Sequence, residues 1–216
     1  MVLYCKAGPD GKSLGDCPFA HYVRLVLEEK GLEYELKPCT QETKPKWLLE
    51  FYDGKMPALQ HRKECYVESS VIAEYLEFFF PSPSLQPNKV AALPAETAVD
   101  GFFPAVAKYL KHVQLDSTNV ELRNALQSAL AKLERYLAAA QSTWLCGGSI
   151  SLLDCSLIPK LYHLEVGVEG YKDGIPSLQD YPHVAAYYQR AQKLPSFQAT
   201  LYPKETVLWG WSNARN

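Results

Sequence analysis

The sequence has no apolar run long enough to cross a membrane: the longest candidate, SISLLDCSLIPKLYHLEVGV, is broken by Asp154, Lys160 and Glu165. It has no basic run and no basic patch interleaved with aromatics. With 22 Lys+Arg against 24 Asp+Glu its formal net charge is -2, which speaks against nucleic acid or an anionic membrane as partner and for a small molecule. Paired zinc-type spacing is missing too, since Cys5, Cys17, Cys39, Cys65, Cys146 and Cys155 are scattered, so no metal site is expected. A chain of 216 residues buries roughly 70% of its unfolded surface and needs no disulfide framework. Free thiols in a reducing compartment follow. There is no repeat, no low-complexity tract and no signal-like start, because Met1 leads straight into the strand-like VLYCKA. The expectation is a cytoplasmic protein, or a plastid one if a transit segment has been removed.

What the sequence does have is an alternation of patterns. Over the first eighty residues period-2 and period-3.6 stretches alternate: VLYCKA, a helix from about Cys17 to Lys30 stopped by Gly31, YELKPC, and a helix near KPKWLLEFY. Two short strands, PALQH and CYVE, joined by the polar RKE turn, lead into the striped helix SSVIAEYLEFFF with a serine at its cap. That order is βαβαββα, followed by the proline-rich linker PSPSLQPN. Beyond it only helical patterns occur, at about Val90–Val113, Val120–Ala140, Leu152–Val168 and His183–Lys193. The domains expected are therefore residues 1–80, α/β, and 89–216, all-α, with 81–88 between them. Ser151 and Asp154 make a capping box with Ile150 and Cys155 as its hydrophobic staple, and Pro159 is expected to bend the helix it opens.

Cys5, Cys39 and Cys65 lie in strand-like stretches and Cys155 in an apolar helix, where cysteine is a small hydrophobe. Cys17 opens a helix. There the free N–H groups and the positive end of the dipole stabilise a thiolate, and Pro18, having no N–H, suits the first turn. The glycine-bearing loop KAGPDGKSLGD keeps that helix end open, and the expected thiol pKa lies below the usual value of about 8.5. In GKMPALQH, Pro57 precedes a strand, the setting of an edge position or of a cis peptide that would turn the Met56 backbone toward a peptide-like ligand. Glu68 and Ser69 open another helix, whose N–H groups can receive a carboxylate. Together these features describe a site for an anionic peptide beside a thiolate. His21, one turn after Cys17, and Cys5 read as packed residues.

DCPFA at the first helix, KMP before the third strand, ES at the third helix and an all-helical second half resemble the cytosolic glutathione transferase superfamily with its thioredoxin-like domain. Within it KPKWLLE, PSPSL, SLIPKLYHLEV and the terminal GW are similar to plant-type dehydroascorbate reductases. Met56 stands where that family usually has valine and Glu68 where it has aspartate, and the loop between strands is shorter. The resemblance implies that Cys17 is the redox nucleophile, that Lys6 and Asp16 bind dehydroascorbate, and that Lys44, Met56, Pro57, Glu68 and Ser69 bind glutathione. Glutathione would be a co-substrate with no permanently bound cofactor, and the protein a monomer. Its alternatives are an omega-like thioltransferase and an interaction protein like the chloride intracellular channels.

Overall fold

The structure, a computed structural model, describes residues 1–215. Its first half is the expected βαβαββα: β1 (Val2–Lys6), α1 (Pro18–Glu29), β2 (Glu35–Cys39), α2 (Lys46–Tyr52), β3 (Ala58–His61), β4 (Glu64–Val67) and α3 (Ser69–Phe79). The four strands are ordered β2-β1-β3-β4, with β1 and β2 parallel and the other pairs antiparallel. The period of 2 along β1 sorts its side chains: Leu3 joins α1 and α3 in the large core, while Tyr4 packs with Leu48 and Trp47 of α2 on the opposite face.

Among the described residues seven α-helices follow: α4 (Lys89–Val99), α5 (Phe102–Lys111), α6 (Ser117–Ala140), α7 (Leu152–Tyr171), α8 (Pro182–Ala191), α9 (Pro195–Thr200) and α10 (Lys204–Ala214), with a 3-10 turn at Leu178–Asp180. The single helix expected over Val90–Val113 is two, broken at Asp100–Gly101 where Gly101 takes φ 75°. Two C-terminal helices, α9 and α10, lie beyond the last helical pattern read from the sequence; α9 has only six residues and starts at Pro195, and α10 follows Pro203 at its cap. Helix α7 continues through Pro159 and packs on α1, α5 and α10. Its capping residues are tied together as expected: the Ser151 backbone N–H and hydroxyl both donate to the Asp154 carboxylate, at 2.9 and 2.6 Å, and Ile150 and Cys155 share one apolar cluster.

The proline-rich segment after α3 is anchored more firmly than its composition suggests. Lys30 Nζ, at the end of α1, meets Glu77 Oε1 of α3 at 2.5 Å, and both side chains are almost fully buried. The same ammonium donates to the carbonyls of Phe80 and Pro83, and Glu77 accepts the Leu85 N–H at 2.8 Å. Leu85 is itself a core residue. Breaking one side of a buried ion pair leaves an uncompensated charge, so Lys30→Met is expected to destabilise the protein by about 3 to 5 kcal/mol. Urea unfolding measures this, and a loss below about 1 kcal/mol would mean that the pair is solvated in solution.

Candidate active site

Four chain segments meet at the end of the sheet where β1 finishes. Beyond Lys6 the chain makes a loop and returns: Ala7 bridges to Leu14, and the Gly15 N–H donates to the Lys6 carbonyl at 2.8 Å. Glycine is required there because a Cβ on residue 15 would lie 2.6 Å from that carbonyl oxygen. The loop is held by Asp10, whose Oδ1 accepts from the Lys12 and Ser13 N–H groups and the Ser13 hydroxyl, and these bonds pull its pKa down to about 2. The return delivers Cys17 to the cap position of α1, directly beside the end of β1. The Met56–Pro57 peptide is cis and runs into β3, where Ala58 pairs with Tyr4 on one side and Val67 on the other. Glu68 and Ser69, next after Val67, therefore lie at the same end of the sheet.

A cleft of about 620 Å³ opens over this end, lined by Lys6, Cys17, Lys44, Met56, Thr40 and Trp209 among others. Its charged lining residues are cations, Lys6 and Lys44, with no carboxylate among those described. Asp16 lies just beneath, its carboxylate 2.6 Å from Lys6 Nζ. Pro57 is buried below Met56. Glu68 and Ser69 do not line the cleft. Nor is Ser69 the cap of α3: it is the first helical residue, and Glu68 occupies the cap position at φ 68° without a side-chain cap bond. The Glu68 carboxylate is largely exposed and meets Lys55 Nζ at 3.2 Å. Lys44 donates to the Gln41 side chain at 2.8 Å.

Trp209 on α10 was not among the sequence candidates. Lys6 Nζ lies 4.9 Å from its ring centroid, so one lysine is held between a carboxylate and an indole face. The signal was the terminal WGW, which also supplies Gly210: a Cβ there would fall 1.7 Å from Asp16 Oδ2. His21 faces away from the cleft, its Nε2 3.0 Å from the Thr200 hydroxyl oxygen and its ring beside Phe197 and Tyr202. Cys5 is fully buried, which pushes its thiol up to about 12.

Burial also pushes the Cys17 thiol above its ordinary value; the N–H groups of Ala20 and Phe19 lower it, the Asp16 carboxylate raises it and the Lys6 ammonium lowers it. This corrects the expectation of a depressed thiol. The helix terminus and the cation act in the anticipated direction, but desolvation and the neighbouring acid outweigh them in the resting site.

Among the described residues no group of His, Cys, Asp and Glu could hold a metal ion, and no helix is long and apolar enough to cross a membrane. All six cysteines are free. Residues 16–77 match the glutathione S-transferase N-terminal domain family and residues 91–190 the C-terminal domain family. The chain is 34% identical to glutathione S-transferase DHAR2 of Arabidopsis thaliana over 94% of its own length and 92% of that protein's. It is 35% identical to the rice protein (Oryza sativa subsp. japonica) named "Probable glutathione S-transferase DHAR1, cytosolic", with 93% and 91% covered. Among solved structures it is similar to Chlamydomonas reinhardtii dehydroascorbate reductase, with a TM-score of 0.83 and 31% identity over 99% of this chain and 97% of that one. The chain belongs to the glutathione S-transferase family and groups within it with the dehydroascorbate reductases.

The opposing charges at Cys17 give a signed test. Asp16→Asn removes a negative neighbour and is expected to lower the thiol pKa, whereas Lys6→Ala is expected to raise it. The pH dependence of iodoacetamide alkylation at Cys17 reads both, and shifts of the same sign would contradict this account.

Proposed function

We propose that this protein reduces dehydroascorbate to ascorbate at the expense of glutathione, with Cys17 as nucleophile. The observation that carries the reading is the thiol at an open helix N-terminus, in a cationic cleft, beside the Lys6–Asp16 pair. Between them the Cys17 thiolate and one glutathione thiol give two electrons to the diketone: an S–S bond forms between the two sulfurs as a mixed disulfide, and the substrate leaves as the ascorbate anion carrying the glutathione thiol's proton. A second glutathione thiolate attacks that disulfide, so that glutathione disulfide departs and Cys17 returns to the thiolate. The balance is one dehydroascorbate and two glutathiones in, one ascorbate and one glutathione disulfide out.

Lys6 polarises a substrate carbonyl, and Asp16 accepts hydrogen bonds from substrate hydroxyls. Engaging Asp16 in this way disperses its charge and leaves Lys6 to act on the sulfur, offsetting part of the desolvation that keeps the resting thiol protonated. Lys44 is suited to a glutathione carboxylate, and the Met56 backbone to the peptide part. The γ-glutamyl end goes to the start of α3, its carboxylate to the Ser69 hydroxyl and free N–H groups and its ammonium to Glu68, which exchanges Lys55 for it.

Ascorbate formation from dehydroascorbate and glutathione, followed by absorbance, tests the reading. Turnover is expected in the wild type and none in Cys17→Ser, whose hydroxyl is too weakly acidic to replace the thiol; substantial activity in that variant would refute the mechanism. Lys6→Ala is expected to raise the apparent KM for dehydroascorbate about tenfold while leaving that for glutathione within about twofold. Because Glu68 is largely exposed, Glu68→Gln is expected to raise the glutathione KM only about fivefold, and an unchanged value would place the γ-glutamyl end elsewhere. The resting thiol pKa being raised, kcat/KM for dehydroascorbate is expected to climb from pH 7 upward and to be still rising at about pH 9 as the thiolate forms. A profile already flat at pH 7 would show the thiolate to be preformed.

A further inference from the structure

Behind Cys17, on the side away from the cleft, lies a buried polar relay that the proposed chemistry does not use. Tyr202, in the segment between α9 and α10, places its hydroxyl 3.2 Å from the backbone carbonyl oxygen of Asp16 and 2.8 Å from Nε2 of His163 on α7. Tyr202 is 3% exposed and His163 1%.

The protons in this relay can be placed. Tyrosine has one hydroxyl hydrogen, and the Asp16 carbonyl can only accept. If the hydroxyl donated to His163, a carbonyl lone pair would face a hydroxyl lone pair inside a dry interface. The hydroxyl therefore donates to Asp16, and His163 donates its Nε2–H to the tyrosine oxygen. Nδ1 of His163 then carries the lone pair, and it is without a protein partner among the described residues. Burial holds His163 down to about 4, so the ring is neutral in the physiological range.

We propose that Tyr202 and His163 are positioning residues that fix the Asp16–Cys17 peptide, so that the C-terminal domain sets where the reacting sulfur and its acidic neighbour stand relative to Lys6. Asp16 is then located at both ends: its carbonyl by Tyr202, its carboxylate by Lys6 and by the bare backbone of Gly210. The tyrosine ring does not depend on its own hydroxyl for position, because the Tyr162 hydroxyl donates to the Tyr202 carbonyl at 2.7 Å and aromatic rings surround it. Loss of the hydroxyl alone leaves the Asp16 carbonyl buried without its donor and releases the peptide that carries Cys17.

The inference rests on Cys17 being the reacting residue, so the test has one arm that needs no substrate. In Tyr202→Phe, alkylation of Cys17 by iodoacetamide at pH 7 is expected to slow about fivefold, and kcat/KM for dehydroascorbate to fall about tenfold, with the glutathione KM within about twofold. His163→Leu is expected to reproduce both losses. His163→Gln, whose side-chain amide can donate to the tyrosine oxygen, is expected to restore both to within about twofold of wild type. The double variant Tyr202→Phe/His163→Leu is expected to be no worse than Tyr202→Phe alone. A folded Tyr202→Phe protein with wild-type alkylation overturns the proposal, as does a loss of dehydroascorbate and glutathione parameters together in step with a lowered thermal midpoint. If the wild type does not reduce dehydroascorbate, the functional reading fails and the alkylation arm still decides this one.

Discussion

Helix α1 packs on the sheet and α3 on one side and on α7 and α9 on the other, so its middle has no face turned to water. Val23, Leu25, Val26 and Leu27 are fully buried, as a helix serving two cores at once requires. Apolar contact alone would leave the helix free to slide along its axis. Its buried polar groups remove that freedom: His21 meets the Thr200 hydroxyl, Arg24 donates to the Thr200 carbonyl at 2.6 Å, and Lys30 binds Glu77 and two carbonyls of the connecting segment. Each bond is directional and each would leave a costly orphan if the helix shifted by a turn. The height of Cys17 above the sheet is thus fixed by groups far from it in the chain.

That fixed height explains how the thiol can be half-buried and still face a ligand. A sulfur at a helix N-terminus gains from the free N–H groups, but only when those groups are not swamped by water, and excluding water raises the cost of the anion. Here the second effect is the larger. The acid beside the thiol makes it larger still, which would be an error in a site designed only to hold a thiolate. Paired with Lys6, Asp16 instead keeps the ammonium in one orientation beside the thiol, and in the proposed reading its charge is what a ligand hydroxyl disperses. On that reading the resting site and the occupied site differ in the charge that the sulfur feels.

The α/β half was legible because its strands are short apolar stretches set between helices that stop next to glycine or proline. Cys17 was legible because Pro18 and the preceding glycine-rich loop mark the first turn of a helix. The second half was legible only where a helix has its own stripe. Helices α4 and α5 read as one because the break between them is a single glycine with an aspartate, and α9 and α10 were missed because their short apolar faces make sense only once α1 and α7 are in place. Ser69 was read as a cap because serine favours that position; the positive φ of Glu68, set by the exit from β4, moves the cap back by one residue. Trp209 and Gly210 show in the sequence only as the terminal WGW, and what that motif does depends on Lys6 and Asp16 about two hundred residues earlier.

A site whose proposed nucleophile lies on the thioredoxin-like half still needs the helical half. Lys6 has a carboxylate on one side and the Trp209 ring on the other. A free lysine side chain loses up to about 2 kcal/mol of rotamer entropy when it is fixed, and a site that must impose that order on ligand binding loses the same amount of affinity. Here the order is present before any ligand arrives. Asp16 is placed by Gly210, whose missing Cβ makes the space, and Trp209 is placed by the same turn of α10. Helix α10 therefore supplies one wall around the ammonium and the space for the other, and the N-terminal half alone would leave Lys6 with the Asp16 carboxylate but without the indole face.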